Sequence, residues 1–193
     1  SLQEHGGDMA IGAYGIINEL LTLYVMIVLG LTMGMQPIVG YNFGAQKIDR
    51  VKQTLRLGII SGVVITSSGF VICEFFPHAV SALFTDSDEL IDLAVGGIRL
   101  TVLMFPFVGA QIVIGNFFQS IGKVKISIFL SLTRQLLYLL PCLLLFPHWW
   151  GLKGIWISLP VSDSLAFITA VISLMIYIKK VSKEHPIADK VAE

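Results

Sequence analysis

Residues 10–39 read AIGAYGIINELLTLYVMIVLGLTMGMQPIV, an apolar run in which Glu19 is the one formal charge. A helix rises about 1.5 Å per residue and needs ~20 apolar residues to cross ~30 Å of hydrocarbon, so this run is long enough to span a bilayer. Four more runs of the same kind follow at 57–76, 90–118, 126–146 and 155–178, with shorter polar segments between them. Backbone groups left unpaired in lipid are intolerable, and no alternation of the outer-membrane strand type appears, so the runs are read as helices. The expected fold is all-α integral membrane, a bundle of five transmembrane helices over 1–180 followed by a cytoplasmic tail at 181–193.

Composition agrees. Of 193 residues, 13 are Lys or Arg and 13 are Asp or Glu, so 13% are charged against 55% hydrophobic, with a mean hydropathy of +0.81. Soluble domains carry about a quarter charged residues. The lipid bilayer is therefore a partner. Nucleic acid is excluded, because the net charge is zero and no Lys/Arg patch is interleaved with aromatics. Cys73 and Cys142 both fall in apolar runs, where a thiol acts as a small hydrophobe, and neither a disulfide framework nor metal-ligand spacing is present.

Lys and Arg set the expected orientation. Lys47, Arg50, Lys52 and Arg56 follow the first run, Lys123 and Lys125 follow the third, and Lys179, Lys180, Lys183 and Lys190 follow the fifth. The alternate segments are acidic (Asp86, Asp88, Glu89) or nearly uncharged, with Trp149 and Trp150 at an expected outer belt. In a cell (inner) membrane this puts the N-terminus outside and the C-terminus in the cytoplasm. With no signal-peptide pattern at Ser1–Met9, a C-terminal portion of a longer polytopic protein is expected.

Small and polar residues recur at helical spacing. Gly12, Gly15, Asn18, Glu19, Thr22, Met26, Gly30 and Gly34 share one face of the first run, Gly58 and Gly62 mark the second, and Ser158, Ser162, Ala166, Thr169 and Ser173 the fifth. Such stripes let helix backbones approach closely or line a cavity. Pro106, Pro141 and Pro160 fall within runs and can kink them.

Charges within spans cost about 2.5 to 3.5 kcal/mol at mid-helix and demand a partner or water. Glu19, Arg99 and Asp163 each lie roughly 12 to 15 Å below the outer helix end, which predicts one electrostatic cluster. Arg134 lies about 12 Å from the inner end and is expected to snorkel toward cytoplasmic phosphates. No catalytic residue stands out: His5, His78, His148 and His185 lack zinc spacing, and Ser67, Ser68 and Ser127 have no triad partners, so an enzyme is not expected.

The segment Gln36-Pro37-Ile38-Val39-Gly40-Tyr41-Asn42-Phe43-Gly44-Ala45, with the basic stretch through Arg50 and the long helix after it, resembles the region following the eighth helix of multidrug and toxic compound extrusion (MATE) transporters. Gly6-Gly7-Asp8, Ala13-Tyr14-Gly15-Ile16, Pro106-Phe107, Arg134 with Pro141, and Gly151 to Trp156 leading to Pro160 and Asp163 continue the resemblance in order. It implies helices eight to twelve, the C-terminal lobe of a two-lobe, twelve-helix antiporter. Such transporters export amphipathic organic cations through a central cleft in exchange for H+ or Na+, with no other cofactor, and the N-terminal lobe of the same polypeptide would be the partner. Where some branches carry a cation-binding acid on the tenth helix, this chain has Val108, Gly109, Ala110 and Gln111. The expected substrate or cation path is Glu19, Asn18, Thr22, Met26 and Gln111, with Arg99, Asp163 and Arg134 as structural intramembrane charges and no metal site. A flippase for lipid-linked oligosaccharides, which Arg99 and Arg134 keep open, is the alternative, and a membrane enzyme or scaffold a more distant one.

Overall fold

A computed structural model describes residues 2–184. Helix α1 (Leu2–Gly44) is followed by α2 (Ile48–Phe75), a short α3 (Pro77–Ser81), α4 (Asp88–Thr101), α5 (Phe105–Ser120), α6 (Val124–Leu132), α7 (Leu140–Trp150) and α8 (Leu152–Glu184). A 3₁₀ turn, Val102–Met104, joins α4 to α5, and a π-helical stretch, Thr133–Leu139, joins α6 to α7. Among the described residues five helical stretches are long and apolar enough to cross a membrane: Ile11–Gly44, Ile48–Phe75, Asp88–Ser120, Val124–Trp150 and Lys153–Val181. The chain is all-α and multi-pass. Helix α8 continues to Glu184, so 181–184 extends the last span; the rest of the expected tail, with His185 and Lys190, lies outside the described residues.

The connections at one end of the bundle are tight for a definite reason. After α5, Lys123 donates its backbone N–H to Phe118 O (2.8 Å) and Gly122 to Gln119 O (3.1 Å), a helix stop that requires the left-handed φ of +75° that glycine provides. The same pattern closes α1, where Lys47 bonds Asn42 O (2.9 Å) and Gln46 bonds Phe43 O (3.0 Å), but here a non-glycine residue, Gln46, takes φ 58°. The polar segment 40–56 is consequently almost all helix, broken only around Ala45–Lys47.

Packing centres on α2 and α5. A Cβ added at Gly109 would lie 2.3 Å from Gly62 O, and one at Gly62 would lie 3.1 Å from Gly109 O, so the two backbones touch. Lipid tails supply no hydrophobic drive between helices, which leaves close contact and hydrogen bonding to hold them. Thr66, one turn on, donates to Gly62 O (2.9 Å) and to Pro106 O (3.1 Å), tying the two helices just after the 3₁₀ turn that interrupts the third span. Two apolar clusters flank the middle of the bundle. One includes Val39, Leu55, Phe117, Phe118 and Leu174, the other Ile17, Cys73, Ile98, Phe105 and Trp156. On α8 the acid Asp163 falls between them in sequence.

Gly30 and Gly34 behave differently. Nothing lies within 4 Å of a Cβ built at Gly15, Gly30 or Gly34, so the small-residue face of α1 is open at these positions; only at Gly12, where a Cβ would lie 3.1 Å from Leu90 Cδ1, does this stripe of glycines meet another helix of the lobe. Close packing falls instead at Gly58, Gly62 and Gly109, at Gly69 against Tyr24, at Gly97 against Ile17 and Trp156, and at Gly154 against Phe146.

Gly109→Ala should therefore lower the stability of the detergent-purified full-length protein by about 1 to 3 kcal/mol, the usual cost of overpacking. Gly96→Ala, where a Cβ meets nothing within 4 Å, serves as the control and should leave thermal melting unchanged.

Candidate functional site

The intramembrane charges resolve into one pair and two exposed groups. Arg134 Nε donates to Asp163 Oδ1 at 2.9 Å, and Arg134 Nη2 lies 2.8 Å from the same oxygen. Asp163 is nearly enclosed, with 12% of its side chain exposed against 35% for Arg134. At about 1.5 Å per residue, Asp163 stands ten residues, roughly 15 Å, from Lys153 at one end of its span, and Arg134 stands ten residues, roughly 15 Å, from Val124 at the opposite end of its own. Both distances lead to the middle of a hydrocarbon layer about 30 Å thick, where the two meet.

Local chemistry positions the guanidinium. Pro141 has no N–H to donate, and just before it the ladder widens to a π-type bond, Leu140 N–H to Gln135 O. This wider turn carries Arg134 and Gln135, and such π segments are frequent at functional sites. Its other end is held to α8 by the hydrogen bond between Tyr138 Oη and Thr169 Oγ1 (2.8 Å). The antiparallel α7 and α8 are joined through Gly151, whose φ of 55° and ψ of −135° suit glycine, and a Cβ on Gly154 would lie 2.3 Å from Phe146 O.

Two cavities adjoin at this pair. The first, of about 250 Å³, is bounded by Tyr14, Asn18 and Thr22 of α1, by Phe105, and by Arg134 and Asp163. The second, of about 290 Å³, is bounded by Gln111, Asn116, Gln119, Ser131, Arg134 and Gln135. Arg134 and Gln135 belong to both walls. In the second cavity Asn116 accepts from Gln36 Nε2 (3.4 Å) and donates to Ile112 O (2.9 Å), whereas the buried Oε1 of Gln111 has no hydrogen-bond partner.

Two sequence expectations are corrected here. Arg134 does not snorkel to the interface; it is the counter-charge of Asp163. The cluster of Glu19, Arg99 and Asp163 does not form. On α4 the buried residues Ala94, Gly97, Ile98 and Thr101 define one face, and Arg99, at 100° per residue, points roughly 150° away from its centre. Arg99 is exposed in the last turn of α4, where a cation suits the helix dipole, and makes no ion pair among the described residues. Glu19 is also exposed and without an ion pair among the described residues, on the open face that carries Gly15, Met26 and Gly30. Asn18 and Thr22 line the first cavity, Gln111 the second, and Met26 is 61% exposed on the open face.

A buried pair that loses one member leaves an uncompensated charge, which costs about 3 to 5 kcal/mol. Arg134→Met should lower stability by that order, seen as a lower folded yield and melting temperature, and adding Asp163→Leu to it should recover most of the loss. Thermal melting of the single and double variants of the full-length protein measures this.

Comparison with known proteins adds an independent line. The MatE family model matches residues 2–144. The chain is similar to the multidrug export protein MepA of Staphylococcus aureus, strain MSSA476, with 27% identity over 178 residues, covering 90% of the chain and 38% of that relative. It is also similar to the structure of the MATE multidrug transporter DinF-BH in complex with R6G, with 36% identity, a TM-score of 0.79, and coverage of 90% of this chain and 39% of the other. An inward-facing MATE family transporter of the MOP superfamily shares the fold at a TM-score of 0.88 with 18% identity, covering 95% and 43% of the two chains. The chain thus spans about 38% of the length of the curated relatives it matches.

Proposed function

The chain belongs to the MatE family, and from that premise we propose that it is the C-terminal lobe of an antiporter of the inner membrane, which exports amphipathic organic cations in exchange for H+ or Na+. Its N-terminus lies outside and its C-terminus in the cytoplasm, and the remaining lobe belongs to the same polypeptide. Similarity to a multidrug export protein and to a transporter in complex with R6G supports a multidrug role.

The observation that carries the reading is the state of the two acids. Asp163 is neutralised by Arg134, and Glu19 is exposed on the open face of α1 with no ion pair among the described residues. The family resemblance sets that helix beside the central cleft. A carboxylate there can hold a proton, a sodium ion or a cationic drug, but one at a time. Exclusive occupancy is what couples export to ion entry: each ligand shifts the equilibrium of the two lobes only by its differential affinity for the two conformations. Asn18 and Thr22 sit beside Glu19 on the same helix, and Met26, one to two turns on, offers a flexible apolar contact for a hydrophobic ring. A lipid-linked oligosaccharide flippase would want a strongly cationic cavity, and pairing of Arg134 with Asp163 removes that charge from the two cavities.

Glu19→Gln should depress export of an amphipathic organic cation by cells carrying the full-length protein while protein level stays normal, and Glu19→Asp should retain part of it. Full export by a well-expressed Glu19→Gln variant contradicts the reading.

A further inference from the structure

Arg134 has two possible partners and at present uses one. Its Nε and Nη2 engage Asp163 on the side of the first cavity, leaving Nη1 and its hydrogens uncommitted to that acid. On the side of the second cavity, Gln111 is 9% exposed and its Oε1 is buried without a hydrogen-bond partner, a costly arrangement for an acceptor. Arg134 and Gln111 line the same 290 Å³ space, which is free for a side chain to move through. Arg134 projects from a π-helical turn, where the helical ladder is already interrupted.

We propose that Asp163 is a cation-binding position inside the lobe. A proton or a sodium ion that neutralises it releases Arg134, and the guanidinium then turns into the second cavity and donates to Gln111 Oε1. The electrostatics of the first cavity permit this. From the π stretch Arg134 is the one charge facing Asp163; from α1 the titratable group is Tyr14, with Asn18 and Thr22 uncharged; from α4 and α5, Thr101, Phe105 and Val108 bring no charge. The cation therefore competes with a single opponent. Once displaced, Arg134 needs an acceptor away from Asp163, and Gln111 supplies one that nothing else engages. The exchange moves a positive charge from one cavity to the other along the lobe without opening its helix packing.

This inference rests on the reading of the chain as part of a cation-coupled exporter, but its test does not use export. In the purified full-length protein, Asp163→Leu imitates the neutralised acid, and Gln111→Leu removes the second acceptor. Asp163→Leu alone should lower the melting temperature modestly, Gln111→Leu alone should leave it unchanged or raise it because it removes an unpaired acceptor, and the two together should lower it by clearly more than the sum, since Arg134 then has neither partner. The excess should vanish when Arg134→Met is added to all variants. Additive effects, or an excess that persists with Met at 134, overturn the partner exchange, whatever the fate of export in Glu19→Gln.

A second measurement guards against misfolding of the double variant. Ser131→Cys, placed in the wall of the second cavity of an otherwise cysteine-free protein, should react several-fold more slowly with a cationic thiol reagent when Asp163→Leu sends the guanidinium into that space. Equal rates contradict the proposal. In the Ser131→Cys protein with Asp163 intact, slowing by sodium salt over choline salt names Na+ as the ligand, slowing on lowering the pH, with the rate corrected for thiolate fraction, names the proton, and slowing by neither overturns the proposal.

Discussion

A charge in hydrocarbon must be matched, and in this lobe the match is made at mid-depth by Arg134 and Asp163. The rest of the structure is arranged so that two residues measured from opposite ends of adjacent antiparallel helices coincide. The glycine turn at Gly151 sets α7 against α8, and the π stretch before Pro141 presents the guanidinium. Tyr138 and Thr169 fasten the same two elements within two turns of the pair. Without the pair, Asp163 would stand as an isolated carboxylate in an environment that disfavours it by several kcal/mol.

Around this polar centre the lobe is built by contact and not by hydrophobic collapse, because lipid is as apolar as the side chains. Gly62 and Gly109 bring α2 and α5 into backbone contact, and Thr66 bridges them to the carbonyl of Pro106. Apolar clusters gather on either side of the pair along α8, with Trp156 in one and Ala170 and Leu174 in the other. The cavities occupy what remains, and their walls are polar where the pair needs solvation. The face of α1 bearing Glu19, Gly15 and Gly30 takes no part in this packing, which suits it to meet something other than its own lobe.

Much of this was legible in the sequence. Five apolar runs of sufficient length gave the helices, and their ordered motifs gave the family, because both depend on composition and spacing that survive without coordinates. The pairing of the charges was not legible in the form expected. Glu19, Arg99 and Asp163 lie at similar depth from the same end, but equal depth does not bring residues together unless their helical phase agrees, and Arg99 faces away from the buried side of α4. Distance from the nearer end alone points Arg134 to the interface. The signal that points to the true partner was present: a long side chain reaches across the few ångströms by which 12 Å from one end and 12 Å from the other fall short of a ~30 Å layer, and the short Pro147 to Gly154 turn makes those two helices neighbours. Stripes of glycine misled in a similar way, since spacing shows a shared face but not what that face meets.

Opposite charges at positions 134 and 163 hold the middle of this lobe. The direct measurement is a charge swap in the full-length protein, Arg134→Asp together with Asp163→Arg, compared with each single change for folded yield and melting temperature. Both single variants, which place two like charges together, should fold poorly, and the swapped pair should recover a large part of the parent's stability. A swapped variant no more stable than the singles would contradict it.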